Sequence, residues 1–213
     1  MKPVLAVACV AGLLAMTSAA RAQDDDFFIK FGPAELIPHE SASISLGGAH
    51  LPGASISIEN HFTASVEIGY QLTPDFSVSF TGGLPPTVDI DGAGTLSGVG
   101  RLGTVTYGPT ALTAQYTFAN LGRLKPYIGA GPMFMFVFDN EDGAMTNLKV
   151  DPAIGAVLRA GIDFDLTKDW GLFLDVKQAY LRTHASGVFG GSPVKADVIL
   201  DPTVVSIGLA RRF

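Results

Sequence analysis

Two side chains stand at a spacing that could serve nucleophilic catalysis, His184 and Ser186. Side chains at positions i and i+2 of a β-strand point to the same face, so the imidazole could accept the serine proton. Such a pair also needs a third group, usually a carboxylate, that orients the histidine. No acidic residue follows at a plausible spacing, and the surrounding segment is rich in Gly and Ser. The sequence therefore predicts no enzyme.

An acidic segment and two glycines are the other candidates for chemistry. The segment from Asp139 to Gly143 reads Asp-Asn-Glu-Asp-Gly and carries oxygen ligands of the kind that calcium binds. We interpret it instead as an ordinary acidic loop tip. Gly129 and Gly131 lie within an apolar alternation, so they do not form a phosphate-binding loop. We expect no metal and no cofactor.

The first 22 residues predict a secretory signal peptide. Lys2 is basic, Val4 to Met16 form an apolar run too short to cross a bilayer, and Ala20-Arg21-Ala22 suits a signal peptidase. The only cysteine, Cys9, lies in this segment, so the mature chain has no disulfide. We expect residues 23–213 to form one domain.

The composition is unusual for a soluble domain. Hydrophobic residues make up 47% of the chain and charged residues only 16%, against about 25% charged in an average protein. There are 20 acidic and 14 basic residues, and two of the basic ones, Lys2 and Arg21, lie in the leader, so the mature net charge is −8. No basic patch stands out, which excludes nucleic acid as a partner. No stretch after Met16 has the roughly 18 consecutive apolar residues of a membrane helix.

The apolar residues instead follow a period of two, which is typical of β-strands. From Phe62 to Leu72 the even positions are apolar and the odd positions are polar or glycine, and the same parity continues after Thr73-Pro74-Asp75. This alternation predicts eight strands: Phe27 to Gly32, Phe62 to Leu72, Phe76 to Thr81, Leu112 to Phe118, Ile128 to Phe138, Ile154 to Leu166, Trp170 to Tyr180 and Val205 to Phe213.

The connections alternate between short and long. Three are short: Thr73 to Asp75, Ala119 to Leu124 and Thr167 to Asp169. Four are long: Pro33 to His61, Pro85 to Thr106, Asn140 to Asp151 and Thr183 to Leu200. Short periplasmic turns and long extracellular loops are typical of outer-membrane barrels. We predict an all-β fold, an eight-stranded antiparallel transmembrane β-barrel in the bacterial outer membrane.

A soluble eight-stranded barrel, with its apolar face inside, is the alternative. The polar face of the predicted strands is rich in Gly, Ser and Thr and poor in the Lys and Glu expected on a solvated exterior. Phe213 ends the final strand, and we interpret it as the signal that the barrel-assembly machinery reads. These features favour the membrane barrel, as do the aromatic residues near predicted strand ends: Phe62, Tyr70, Phe76, Phe118, Phe164, Trp170 and Tyr180.

Pro132 conflicts with an uninterrupted strand. Proline has no N–H to donate to a ladder, and a closed barrel has no edge at which to place it. We expect a local bulge or an unpaired stretch there.

The face predicted to point inward carries charges of both signs. Buried charges must be paired or hydrated, and an eight-stranded barrel is just wide enough for side chains to fill it. We therefore expect a plug of salt bridges rather than an ion pathway. Its predicted members are Glu67, Arg159, Asp163, Asp165, Asp175 and Lys177.

Apolar side chains also occur on the inward face, which predicts an apolar vestibule above the plug. Methionine suits promiscuous apolar binding because it is flexible and polarizable. The other interpretation is a dry core that holds the loops in place. The predicted lining, placed at the loop end of the strands, is Met133, Met135, Val137, Val157, Phe173 and Leu181, with Ile44, Leu46, Leu51 and Ile56 of the first long loop.

From about Phe27 to Phe213 the sequence resembles the OmpW family of eight-stranded outer-membrane barrels. The family usually has an aromatic residue where Arg211 stands and an ordinary strand residue where Pro132 stands. The stretches that carry the resemblance are Lys125-Pro126-Tyr127-Ile128-Gly129-Ala130-Gly131, Thr167-Lys168-Asp169-Trp170, Leu200-Asp201-Pro202 and Pro109-Thr110.

The resemblance implies a hydrophobic passage that small apolar molecules enter from outside and leave sideways into the membrane. We therefore predict passive uptake of small hydrophobic molecules. The expected partners are outer-membrane lipids, small apolar solutes or detergent, and the barrel-assembly machinery. A structural or adhesive barrel whose loops bind external partners is the alternative, and a lipid A-modifying hydrolase that uses Ser186 is a further one.

Overall fold

Alternating sequence segments form nearly all of the regular structure. The computed structural model describes residues 26–213, and the predicted signal peptide lies outside them. These residues contain fourteen β-strands and a short 3-10 helix, Ala119–Leu121. The strands are β1 Phe27–Ile37, β2 Glu40–Leu46, β3 Ala49–His50, β4 Ala54–Ile58, β5 His61–Gln71, β6 Phe76–Gly83, β7 Thr87–Gly94, β8 Arg101–Thr117, β9 Leu124–Asp142, β10 Thr146–Val150, β11 Ala153–Asp165, β12 Trp170–Phe189, β13 Ser192–Leu200 and β14 Thr203–Arg212.

Eight of these strands close into a barrel. Their order around the ring is β1, β5, β6, β8, β9, β11, β12 and β14, and β14 pairs back with β1. Every neighbouring pair in the ring is antiparallel. The predicted eight-stranded antiparallel barrel is confirmed.

The barrel carries its apolar face on the outside. On β5, Ile68 is 40% exposed, whereas its neighbour Glu67 is 4% exposed. A soluble barrel would have the opposite arrangement, so that alternative is wrong. No helix among residues 26–213 is long and apolar enough to cross a membrane. Other exposed apolar side chains of the outer face are Phe31, Phe80, Leu112, Ile128, Leu158, Leu174 and Ile207.

The long connections, which were predicted as loops, contain further strands. Six short strands, β2, β3, β4, β7, β10 and β13, extend the wall at the long-loop end. β12 runs to Phe189 rather than ending at Tyr180, because β13 pairs with its outer half from Leu181 onward. The barrel therefore continues as a second tier of paired strands.

Pro132 leaves its strand unpaired on one side. The ladder between β8 and β9 pairs Ala111 with Met133 and Ala114 with Ala130, with no partners between them. The register is the same on both sides of this gap, so the predicted bulge at Pro132 is wrong and the predicted unpaired stretch is confirmed. The register shift in this ladder lies farther out, between Thr106 and Tyr107. On its other side Pro132 pairs with Ala156 of β11.

Candidate functional site

A buried guanidinium lies at the centre of the barrel. Arg159 on β11 donates from Nη1 to Oε1 of Glu67 over 3.0 Å and from Nη2 to Oδ2 of Asp175 over 2.7 Å. Its Nε donates to the same Asp175 oxygen over 3.0 Å. The Arg159 side chain is 0% exposed. A planar group with five fixed donors suits this role, because it can satisfy two carboxylates at once.

Lys177 provides the second cation of this cluster. Its Nζ donates to Oδ1 of Asp175 and lies 3.7 Å from Oε2 of Glu67. The hydroxyl of Tyr127 donates to Oδ2 of Asp175 over 2.7 Å. Each of the two carboxylates therefore faces two cations. We call Glu67, Arg159, Asp175 and Lys177 the charged plug.

Two hydroxyls complete the coordination of Arg159. Ser79 accepts from Nη1 over 3.2 Å and Thr113 accepts from it over 3.1 Å. Burying charge is strongly unfavourable unless it is paired and hydrogen-bonded, and every charged side chain of the plug meets that condition. The plug closes the interior of the barrel with bonded side chains.

Asp163 and Asp165, both predicted in the plug, lie in separate layers nearer the short-turn end. Asp163 accepts from Nζ of Lys30 with both oxygens, at 2.7 and 2.9 Å. Asp165 pairs with Lys125 and Arg212, each at 2.6 Å. These three cations were not among the residues predicted to point inward. Parity was the available signal, since Lys30 alternates with the outward Ile29 and Phe31.

A polar cavity of about 180 Å³ opens below the plug at the short-turn end. Lys30, Asp163 and Arg212 line it, together with Gln115 and Thr117. The Oε1 atom of Gln115 has no hydrogen-bond partner within the protein. A polar cavity of this size holds water, which can supply that partner.

An apolar cluster occupies the barrel above the plug. Met133 and Met135 on β9, Val157 on β11 and Leu181 on β12 are all buried in it. Val137, Leu46 and Leu51 are partly buried and pack against the same cluster, as does Ile56, and Ile44 is buried within it. The structure thus brings together nine of the ten residues predicted to line the vestibule.

Phe173 is the exception, and its predicted place at the loop end is wrong. It lies near the start of β12, where it pairs across the sheet with Asp163 and Gly208. The Nζ atom of Lys30 lies 5.7 Å from the centroid of its ring. Phe173 therefore packs on the short-turn side of the plug, because β12 begins at that end of the barrel.

The apolar cluster encloses two cavities. The outer one, about 120 Å³, is lined by five of the six short outer strands, β2, β4, β7, β10 and β13, and by the outer half of β12. The inner one, about 60 Å³, is lined by Met133, Met135 and Leu181. Four aliphatic side chains belong to both linings, and we call them the constriction: Ile58 of β4, Ile90 of β7, Val150 of β10 and Leu200 of β13.

Much of the outer lining comes from segments predicted as loops. Leu102, Met145 and Leu148 are buried there, as are Val194 and Val198. A usable signal was present, because Val194, Ala196 and Val198 alternate with the exposed polar residues Lys195 and Asp197 in the same way as the barrel strands.

The wall is interrupted beside the inner cavity. The ladder between β6 and β8 ends at Thr81 with Ala111, and the ladder between β7 and β8 begins only at Thr106. Tyr107 N donates to Pro86 O over 3.1 Å, which leaves residues 108–110 of β8 without a ladder partner on that side. Tyr107 and Pro109 both line the inner cavity.

The histidine and serine considered for catalysis lie on the outer part of β12, where His184 is exposed and Ser186 is half-buried. Here the structure supplies an acid that sequence spacing did not reveal: Asp197 of β13 lies opposite His184, with 3.3 Å between Nε2 and Oδ1. Both side chains are more than 70% exposed. Within residues 26–213 no hydrogen bond joins Ser186 to His184, so the three do not form a catalytic triad.

Side chains of the acidic segment considered for calcium accept hydrogen bonds from backbone N–H groups instead. Asp142 accepts the backbone N–H groups of Leu148 and Asn147, at 2.9 and 3.0 Å, and these bonds lower the pKa of its carboxyl. Asn140 likewise accepts from Val150 N over 3.0 Å. Residues 26–213 contain no cluster of three or more His, Cys, Asp or Glu side chains suited to a metal. The segment fixes the turn before β10.

Comparison with known proteins adds independent information. A family model described as the OmpW family matches residues 23–213. The dibenzothiophene metabolism operon protein PahQ of Pseudomonas aeruginosa is 33% identical over 201 residues, which cover 94% of this chain and 95% of PahQ. The outer membrane protein AlkL of Ectopseudomonas oleovorans is 31% identical, over 83% of this chain and 77% of AlkL.

Two solved structures share the fold. The crystal structure of the outer membrane protein OprG from Pseudomonas aeruginosa superposes with a TM-score of 0.82 at 25% identity, covering 88% of this chain and 95% of OprG. The solid-state NMR structure of AlkL in lipid bilayers gives a TM-score of 0.73 at 30% identity, covering 92% and 93%.

Proposed function

Because the chain belongs to the OmpW family of outer-membrane proteins, we propose that it gives small hydrophobic molecules a passive route through the outer membrane. The barrel lies in the bacterial outer membrane, with short turns on the periplasmic side and long connections outside. In this proposal a solute enters the outer cavity, passes the constriction into the inner cavity and leaves sideways into the lipid.

The proposal rests on one observation: two apolar cavities lie above the charged plug, in which every charged side chain is paired, and the inner cavity lies beside a break in the barrel wall. The free energy of an apolar solute is lower in a cavity lined by Met133, Met135 and Leu181 than in water. The plug below presents only charged and hydroxyl groups. At residues 108–110 the ladder is interrupted, so a solute can leave there without breaking ladder hydrogen bonds on that side of β8.

The relatives support a hydrophobic solute. PahQ of Pseudomonas aeruginosa carries the name of a dibenzothiophene metabolism operon, and dibenzothiophene is an apolar aromatic compound. We propose no chemistry on the solute, since the function needs only a passage.

Entry of a small apolar solute into liposomes tests the proposal. We expect liposomes with the mature protein to take up the solute faster than empty ones. Met133→Asp and Met135→Asp should each slow this gain by about tenfold, because a carboxylate in the apolar cavity makes it unfavourable for the solute.

Met135→Leu is the matched control, since it keeps the volume and the apolar character and should keep the uptake. No gain by the wild-type protein over empty liposomes would overturn the proposed function. Full uptake by the aspartate variants would instead show that solutes do not pass through this cavity.

A further inference from the structure

One cation at the periplasmic end of the barrel points outward. Arg211 on β14 shares its parity with Leu209 and Phe213, which are 37% and 43% exposed. The neighbours of opposite parity, Ala210 and Arg212, line the polar cavity inside the barrel. Arg211 therefore faces the lipid side of the wall.

Two aromatic rings hold its guanidinium in place. The central carbon lies 5.3 Å from the ring centroid of Trp170 and 4.6 Å from that of Phe213. Trp170 is also its cross-strand partner on β12, and Ile29 is its partner on β1. Cation–π contacts of this kind fix the orientation of the group.

The same guanidinium has no anionic partner within residues 26–213. The inward cations at this end are paired: Lys125 and Arg212 with Asp165, and Lys30 with Asp163. Arg211 makes no ion pair there, and its Nε is buried without a hydrogen-bond partner. A cation that is oriented but unpaired calls for an external anion.

The position of Arg211 identifies that anion. It lies among outward aromatics at the periplasmic rim, Phe27, Tyr70, Phe76 and Trp170, and such girdles lie at the level of the lipid headgroups. Phosphate is the anionic group of phospholipids at this level, and the guanidinium fork matches its oxygens. We propose that Arg211, held between Trp170 and Phe213, binds the phosphate of a phospholipid in the periplasmic leaflet.

Native mass spectrometry of the full mature protein in mild detergent tests this site. With phosphatidylglycerol and the phosphate-free lipid diacylglycerol supplied in equal amounts, the wild-type protein should retain phosphatidylglycerol preferentially. Arg211→Leu should weaken that retention by about tenfold, the range of a charge-assisted hydrogen bond, and Arg211→Lys should weaken it less.

Arg182→Leu is the control, because it removes an equal charge from an exposed position in the outer half of β12. Heat-dependent gel mobility reports whether each variant is folded. Equal retention by Arg211→Leu and wild type would overturn the proposal. Equal retention of the two lipids by the wild-type protein would also overturn the proposal. This second measurement does not depend on the folding of any variant.

Discussion

At the residue scale, the interior of the barrel depends on Arg159. Its guanidinium donates hydrogen bonds to the carboxylates of Glu67 and Asp175 and to the hydroxyls of Ser79 and Thr113. Replacing a whole buried ion cluster by apolar groups is often neutral, whereas removing one partner leaves a charge buried and unpaired. Whether a substitution in the plug destabilises the barrel therefore depends on whether it leaves a charged partner buried and unpaired.

Arg159→Leu should lower the free energy of unfolding by about 3–5 kcal/mol, because both carboxylates lose their main partner. Urea titration of the protein in lipid vesicles measures this change. Arg159→Lys keeps the positive charge but loses the planar guanidinium with its five donors. It should therefore lower the free energy of unfolding less than Arg159→Leu does. A loss below about 1 kcal/mol for Arg159→Leu, the value of an exposed ion pair, would contradict the buried plug.

At the scale of elements, the outer strands converge on the constriction. Ile58 of β4 and Ile90 of β7 are cross-strand partners, and both side chains line both cavities. Val150 and Leu200 approach from β10 and β13. If solutes pass between the cavities, the size of these side chains sets the rate.

Ile58→Ala should therefore speed the entry of larger apolar solutes into liposomes more than that of smaller ones. Ile90→Phe should slow both, because the ring narrows the same opening. Ser57→Ala is the control, since Ser57 lies on the exposed face of β4. Equal rates for the widened and narrowed variants would exclude the constriction from the path.

The barrel strands could be predicted because each shows an alternation of its own. Most of the outer strands could not, because their partners are distant in sequence: Ile44 of β2 pairs with Ala196 of β13. β13 is the exception, since its own alternation was a usable signal. Parity also predicted six of the charges that point inward, but Lys30, Lys125 and Arg212 were not among them. It could not predict that Lys30 meets Asp163, since the layer a side chain joins depends on strand tilt and stagger around the ring.

At the scale of the whole molecule, the barrel has two different barriers in series. The apolar cavities above the plug exclude ions because ions there would lose their hydration. Below them the charged side chains of the plug are paired and almost fully buried, so we expect no open water path past them to the polar cavity at the periplasmic end. A route for apolar solutes that leaves sideways avoids the second barrier, whereas an ion must cross both.

This arrangement predicts apolar uptake without ion leakage. Planar bilayers that contain the protein should show no stepwise conductance, while liposomes of the same preparation take up the apolar solute. The double variant Met133→Asp/Met135→Asp should also show no conductance. Its aspartates admit water only to the inner cavity and leave Arg159 paired with Glu67 and Asp175. Steady conductance steps from the wild-type protein would mean that water crosses the plug, and solutes would then have a direct path to the periplasm.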